Sequence, residues 1–203
     1  LKRADFLSGE IKAIPAEGSL APDSYEVKRG GDRAALIAEM TARQTAILAE
    51  LWANRAAGLP YESPETALVM ASIVEKETGV PEERGRVASV FLNRLREGMR
   101  LQTDPAVIYG ITKGQGVLGR GLRQSELRKE TPYNTYVIDG LPPTPIANPG
   151  RAAIEATLNP DQTEYLYFVA DGSGGHAFAT TLAEHNENVA RWRKIEAEQG
   201  AAN

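Results

Sequence analysis

Two carboxylates, Glu75 and Glu77, close a run that is otherwise apolar from Ala67 to Val74. If that run is a helix, about 100° per residue turns the two side chains about 200° apart, so they serve different surfaces. The C-terminus of a helix carries partial negative charge and disfavours an anion. Partial burial acts in the same direction and raises a carboxyl pKa. A carboxyl that stays protonated near neutral pH is what a general acid requires. A frayed, solvated helix end is the plainer account. It suits Glu75, whereas for Glu77 the residues alone leave both accounts open.

Other segments supply groups of a different kind. Leu101 to Gly110 (Leu-Gln-Thr-Asp-Pro-Ala-Val-Ile-Tyr-Gly) and Tyr133 to Tyr136 (Tyr-Asn-Thr-Tyr) mix amides, hydroxyls and aromatic rings. Sugars are held by such mixtures, rings under C–H faces and amides or carboxylates on hydroxyls. Taken singly these are ordinary turn residues, with Asp104-Pro105 starting a turn. His176 and His185 are the two histidines. Neither has metal-ligand spacing, and no His-Glu-x-x-His motif or carboxylate cluster accompanies them; no metal or other cofactor is expected. His176 either lines a cleft or is a satisfied structural histidine. There is no Gly-x-Ser-x-Gly nucleophile elbow. The glycine-rich stretch 114–121 lacks the Gly-Lys-Ser/Thr ending of a phosphate loop and reads as a flexible loop.

The elements that must carry these groups follow from caps and periodicity. Asp32 reads as an N-cap, followed at helical spacing by Leu36, Ile37, Met40, Ile47, Leu48, Leu51 and Trp52, with Gly58 and Pro60 as stops. Ser63-Pro64 starts the helix that bears both glutamates. Gly79 reads as its left-handed cap. Pro81, Glu82 and Glu83 suit the first turn of a third helix, with Val87, Val90, Phe91 and Leu95 buried and Gly98 closing it. Residues 99–150 read as an ordered loop region with short helices or strands. A helix fits Arg151 to Leu158, a strand Tyr165 to Ala170, a turn 171–175, a returning strand His176 to Ala179, and a last helix about Thr181 to Glu198. Ile11 to Ile14 suggests a strand fragment within an irregular stretch 1–31. The fold class is α+β: a helical core carrying Glu77, with a small antiparallel sheet.

Composition sets the outer bounds. The chain has 203 residues, 42% hydrophobic and 25% charged, the mix of an ordinary globular domain. It has no cysteine, which excludes disulfides, thiol catalysis and Cys-zinc or iron–sulfur sites. The net charge of -4 argues against a nucleic-acid binder held by bulk electrostatics. Residues 81–130 nevertheless carry 10 basic and 6 acidic groups, so the middle is positive between acidic ends. A solvated helix face is the plainer reading of that excess, an anionic ligand the other. No stretch reaches the ~18–20 apolar residues of a membrane span. The chain opens on Leu1 and reads as a fragment of a longer protein.

Several of these segments also match one pattern together. They are Ala71-Ser-Ile-Val-Glu-Lys-Glu-Thr78, Val87-Ala-Ser-Val-Phe-Leu-Asn-Arg-Leu95, Gly98-Met-Arg-Leu-Gln-Thr-Asp-Pro105, Pro132-Tyr-Asn-Thr-Tyr136, Gly140-Leu-Pro-Pro143, Pro145-Ile146, Asn148-Pro-Gly150 and Tyr165-Leu-Tyr-Phe-Val-Ala170. Gly175-His176, Phe178 and His185-Asn186 continue it. Over about residues 60–195 the chain resembles the endolytic murein transglycosylase family (MltG, YceG-like). The resemblance implies a helical, lysozyme-like catalytic core acting on peptidoglycan glycan strands. Cleavage of the MurNAc–GlcNAc bond would be lytic, leaving 1,6-anhydro-MurNAc ends. It implies that the catalytic acid is Glu77, the glutamate followed by Thr78. Gln102, Thr103, Asp104, Tyr109, Asn134, Tyr136, His176 and Phe178 are then the candidates for substrate positioning or oxocarbenium stabilisation. Residues 1–31 would be the end of a LysM-like subdomain and linker, and residues 32–203 the catalytic domain. Gly18-Ser-Leu-Ala-Pro-Asp23 departs from the family's aromatic segment there. The family further implies an N-terminal membrane helix absent from this chain, a single-pass inner-membrane protein with its catalytic domain in the periplasm, and partnership with cell-wall synthases. Two alternatives are a hydrolytic muramidase with Asp104 as partner carboxylate, and an inactive glycan-binding module.

Overall fold

Local caps start the first two helices where the sequence places them. In the computed structural model, which describes residues 4–201, the Asp32 carboxylate accepts the Ala34 and Ala35 N–H groups and opens α1 (Arg33–Ala53). The Ser63 hydroxyl accepts the Thr66 N–H at 3.2 Å and opens α2 (Pro64–Glu77), with Pro64 in its first turn, where no intrahelical donor is needed. A single 3₁₀ turn, Pro81–Glu83, leads into α3 (Arg84–Arg96). Gly98, at φ +65°, follows it in the left-handed region expected of a helix stop. Then come α4 (Asp104–Thr112), the one-turn α5 (Gln124–Leu127) and α6 (Arg151–Leu158). The strands β1 (Tyr167–Ala170) and β2 (His176–Ala179) and the long α7 (Leu182–Ala201) complete the order. The architecture is α+β. Among the described residues no helix is long and apolar enough to cross a membrane.

Helix α2 is the axis of the core. Ala67, Met70, Ala71, Ile73 and Val74 are fully buried, and α1, α3, α4 and α6 pack around it. Val87 and Phe91 of α3, Leu101, and Ile154 and Leu158 of α6 fill the space between. A helix covered on so many faces needs apolar residues nearly all round, as α2 has until its last turn. Its final residues are therefore delivered to fixed places by a rigid rod.

The sheet is one antiparallel hairpin, with Phe168 opposite Phe178 and Ala170 opposite His176. Two strands alone are marginal in water. This pair is held by α7 across it and by Phe91, whose ring meets Phe168 edge-on at 5.8 Å. The Asp171 carboxylate shapes the turn by accepting the Ser173 N–H at 2.8 Å and its hydroxyl at 2.7 Å.

Four expectations are corrected. Ile11 to Ile14 forms no strand, and Ile14 is exposed. Residues 4–31 lie as irregular chain over the helices instead, tied by Gln44 Nε2, which donates to Gly18 O at 3.1 Å and Pro149 O at 3.0 Å. Gly79 does not adopt a left-handed φ; α2 ends because Thr78 turns extended, at φ -138° and ψ 134°. The strand starts at Tyr167 and not Tyr165, because Asn93 Nδ2 already donates to Thr163 O at 2.8 Å and Tyr165 O at 3.0 Å. Asp104-Pro105 starts a helix, α4, where an isolated turn was the plainer reading.

Candidate active site

Glu77 is the last residue of α2, and Thr78 sets the direction of the chain beyond it. The buried Thr78 hydroxyl accepts the Val80 N–H at 3.0 Å, which pins the extended exit. Glu77 itself is half-buried: solvent reaches it, yet protein surrounds its carboxyl closely. Burial is the main cause that pushes its pKa up to about 7; the Thr103 hydroxyl pulls it down, Asp104 pushes it up, and His176 and Arg94 pull it down. Thr103 Oγ1 is fully buried, and Glu77 is the group its hydroxyl acts on.

Glu75 has different surroundings. Its Oε2 accepts the N–H of Gly150, the N-cap of α6, at 3.1 Å. The solvated helix end expected for Glu75 is thus replaced by a half-buried carboxylate at the positive end of α6.

Three segments bring the other groups in. The first is 102–104. Gln102 is exposed and left-handed at φ +52°, a strained setting for a residue with a Cβ. It is held there by its N–H to Thr135 O at 3.0 Å. Thr103 N–H donates to Thr135 Oγ1 at 2.9 Å, and that hydroxyl donates to Thr103 O at 3.2 Å. The second is 133–136. Tyr136 donates its hydroxyl to Asp104 Oδ1 at 2.6 Å, and burial followed by this carboxylate pushes the phenol pKa up. Asn134 is wholly buried: its Nδ2 donates to the carbonyls of Glu126, Leu127 and Lys129 at 3.1, 3.1 and 2.7 Å, and its Oδ1 accepts the Tyr136 N–H. Asn134 therefore shapes the loop that presents Tyr136 and does not itself face a cleft. Asn134→Ala should cost about 1–3 kcal/mol, the penalty for leaving buried carbonyls unpaired. Urea unfolding of the variant checks this.

The third segment is β2. His176 Nδ1 lies 2.8 Å from Glu83 Oε2, and its backbone N–H donates to Glu83 Oε1 at 3.0 Å. Glu83 is buried, and a Cβ on Gly175 would sit 2.8 Å from its Oε1, so only glycine leaves room for this carboxylate. Phe168 meets the His176 ring edge-on at 5.3 Å. Phe178 lies beside the same ring, with the Arg86 guanidinium 4.9 Å from its centroid.

The candidates thus separate. Thr103, Asp104 and His176 act directly on Glu77, Tyr136 bonds Asp104 and feels the charge of Glu77, and Phe178 lies against His176. Gln102 stands beside Thr103 at the surface. Tyr109 points elsewhere: its ring lies 5.0 Å from Tyr133, and it lines a cavity of about 550 Å³ that does not include Glu77.

Two further residues matter that the candidate set lacks. Glu83 gave no signal beyond an acid in a first turn, because its partner is 93 residues away. Arg94 did give one. It continues the buried stripe of Val87, Val90 and Phe91, where a charge is out of place. It donates to Leu166 O at 2.7 Å and Leu101 O at 2.8 Å, joining α3 to the hairpin and to the 101–104 segment. Part of the positive middle of the chain is spent in this way: Arg86 lies over Phe178, Arg100 pairs with Asp139, and Arg120 pairs with Glu126.

An α+β chain whose central helix ends on one carboxyl of near-neutral pKa, next to hydroxyl, imidazole and aromatic groups, has an arrangement suited to proton transfer at a polar substrate. The chain belongs to the YceG-like family, whose model matches residues 2–191. It is 38% identical over 183 residues to an endolytic murein transglycosylase of Bacillus subtilis, covering 90% of this chain and 49% of that protein. It is 35% identical over 181 residues to an endolytic murein transglycosylase of Streptococcus pneumoniae serotype 2, covering 86% of this chain and 32% of that protein. A crystal structure of a YceG-like protein from Listeria monocytogenes superposes with a TM-score of 0.71 at 38% identity, covering 84% of this chain and 54% of that one. The chain therefore spans 32% to 49% of the length of these two curated relatives.

Proposed function

We propose that the chain is an endolytic peptidoglycan lytic transglycosylase in which Glu77 is both acid and base. The observation that carries this is the Glu77 pKa near 7, produced by burial at a helix C-terminus. Protonated Glu77 donates its proton to the glycosidic oxygen between MurNAc and GlcNAc, and the C1–O bond breaks. The resulting Glu77 carboxylate takes the proton of the MurNAc C6 hydroxyl while O6 bonds to C1. A 1,6-anhydro ring closes, GlcNAc leaves with the first proton, and Glu77 regains its own. No water is consumed and no second catalytic carboxylate is needed, unlike in paired-acid glycosidases. The Tyr136 hydroxyl bonded to Asp104 supports this single-acid reading, because Asp104 already has a partner. His176, beside the carboxyl, suits the holding of a substrate hydroxyl, the buried Thr103 suits the orienting of Glu77, and Phe178 and Tyr136 suit sugar faces.

The names of the relatives support murein as substrate. Such strands lie outside the cytoplasmic membrane, so the site would face the periplasm or cell exterior, with the implied anchor, LysM-like region and synthase partners belonging to the longer protein. Mass spectrometry of uncrosslinked glycan strands after incubation with the chain tests the reaction. Anhydro-ended fragments are expected; reducing-ended fragments would mean a hydrolase.

The pH profile follows from the same carboxyl. The first step needs protonated Glu77, so kcat/KM should fall about tenfold per pH unit once pH exceeds the Glu77 pKa of about 7. A profile that stays flat from pH 6 to pH 9 would contradict the assignment.

A further inference from the structure

The cavity of about 550 Å³ takes in Lys76, the chain neighbour of Glu77, and Pro105 of α4 but not Glu77 itself, and the reaction just described does not use it. Its size falls in the usual range for small-ligand sites, ~300–1,000 Å³. Ile108 and Tyr109 of α4 and Ile146 give it an apolar wall. The glycine-rich loop between α4 and α5 closes the far side. Its charged lining is Lys76, Glu17 and Arg120, the last already paired with Glu126. Lys76 and Asn148 line it, and both hold unspent donors. The Lys76 ammonium is exposed and makes no ion pair or hydrogen bond among the described residues. The Asn148 amide is oriented by its Oδ1, which accepts the Leu20 N–H at 3.0 Å, while its Nδ2 has no acceptor among the described residues. Glu17 supplies the opposite charge. Gly114, at φ +69°, admits its carboxylate, since a Cβ there would lie 2.9 Å from Glu17 Oε1.

We propose that this cavity binds the peptide carried by a MurNAc residue of the glycan strand, with a peptide carboxylate on Lys76 and Asn148 and a peptide amine toward Glu17. The inference rests on the lytic reading above and adds a substrate preference to it. Two observations favour a peptide over another stretch of sugar. A free cation and a carboxylate lining one cavity match a zwitterionic chain, and the groups of murein that carry such charges are on its peptides. Lys76 also adjoins Glu77 in sequence, with Cα atoms ~3.8 Å apart and side chains turned about 100° from each other. A strand lying at Glu77 could thus send a substituent to Lys76.

The test compares uncrosslinked strands that keep their peptides with the same strands stripped by an amidase, each cut by the chain and by Lys76→Ala and Lys76→Glu. The peptide-bearing strand should be cut faster by about threefold to tenfold, the scale of a partly exposed charge-assisted contact. In Lys76→Ala that ratio should fall toward one, and in Lys76→Glu below the value for Lys76→Ala. Equal rates on both strands with the unaltered chain would overturn the proposal. So would a Lys76→Ala effect of equal size on both strands, which would place sugar in the cavity. Binding of the two strands to Glu77→Gln separates this inference from the lytic reading. Tighter binding of peptide-bearing strands, lost when Lys76→Ala is added, would support the cavity even if no anhydro product formed.

Discussion

Glu77→Gln should lower turnover by about 10³–10⁴-fold, with strands still bound, because one group performs both proton transfers. The same substitution should stabilise the fold at alkaline pH. Glu77 has an ordinary pKa of 4.5 when unfolded and about 7 when folded. Between these values the folded chain holds a proton that the unfolded chain has lost. Stability conferred by this group is therefore greatest below pH 4.5, falls as pH rises, and reaches its lower level above pH 7. The shift corresponds to at most about 3 kcal/mol. Glutamine carries no charge to desolvate, so the variant should match the parent near pH 4 and exceed it at pH 8. Urea unfolding of both proteins at the two pH values measures the difference. A variant no more stable at pH 8 would mean that the carboxyl is well solvated, and the acid role would lose its physical basis.

Glu83→Ala should be the second large effect. It removes the acceptor of both the His176 N–H and Nδ1 from a buried pair and leaves the imidazole unheld. Leaving these part-buried His176 donors without their acceptor costs about 1–3 kcal/mol. Where the variant remains folded, turnover should fall by up to about 10²-fold, the scale of a displaced group beside the reacting atoms. Glu83→Gln keeps a carbonyl oxygen for the His176 N–H, so it should retain most stability and lose less rate. Turnover measured well below each melting temperature separates the two effects. Full activity in folded Glu83→Ala would show that the Glu83–His176 pair serves the fold alone.

The elements were readable where their causes are local. Asp32 and Ser63-Pro64 carry their caps within three residues, the bounds of α6 agree with Arg151 to Leu158, and Gly98 stops α3 by its own conformation. The hairpin turn was readable because Asp171 bonds to its own loop. Errors came where distant groups decide. The strand yields two residues at its start to Asn93, and Ile11 to Ile14 has no strand to pair with. Asn134 carries the residue type of a sugar ligand, but its amide is consumed by three carbonyls of its own loop.

By itself the sequence determined the helical periods, their caps, the hairpin, and a pair of carboxylates at the end of an apolar helix pointing to opposite sides. Family resemblance pointed to the second of the pair. Only the tertiary structure gave the two carboxylates different chemistry. Glu75 accepts the Gly150 N–H at the N-cap of α6 and is spent on tying two helices together. Glu77 enters a crowded site built from α3, the 102–104 segment and β2, where burial favours the proton. A carboxyl pKa depends on the solvent excluded and the charges nearby, and here both come from segments remote in the chain.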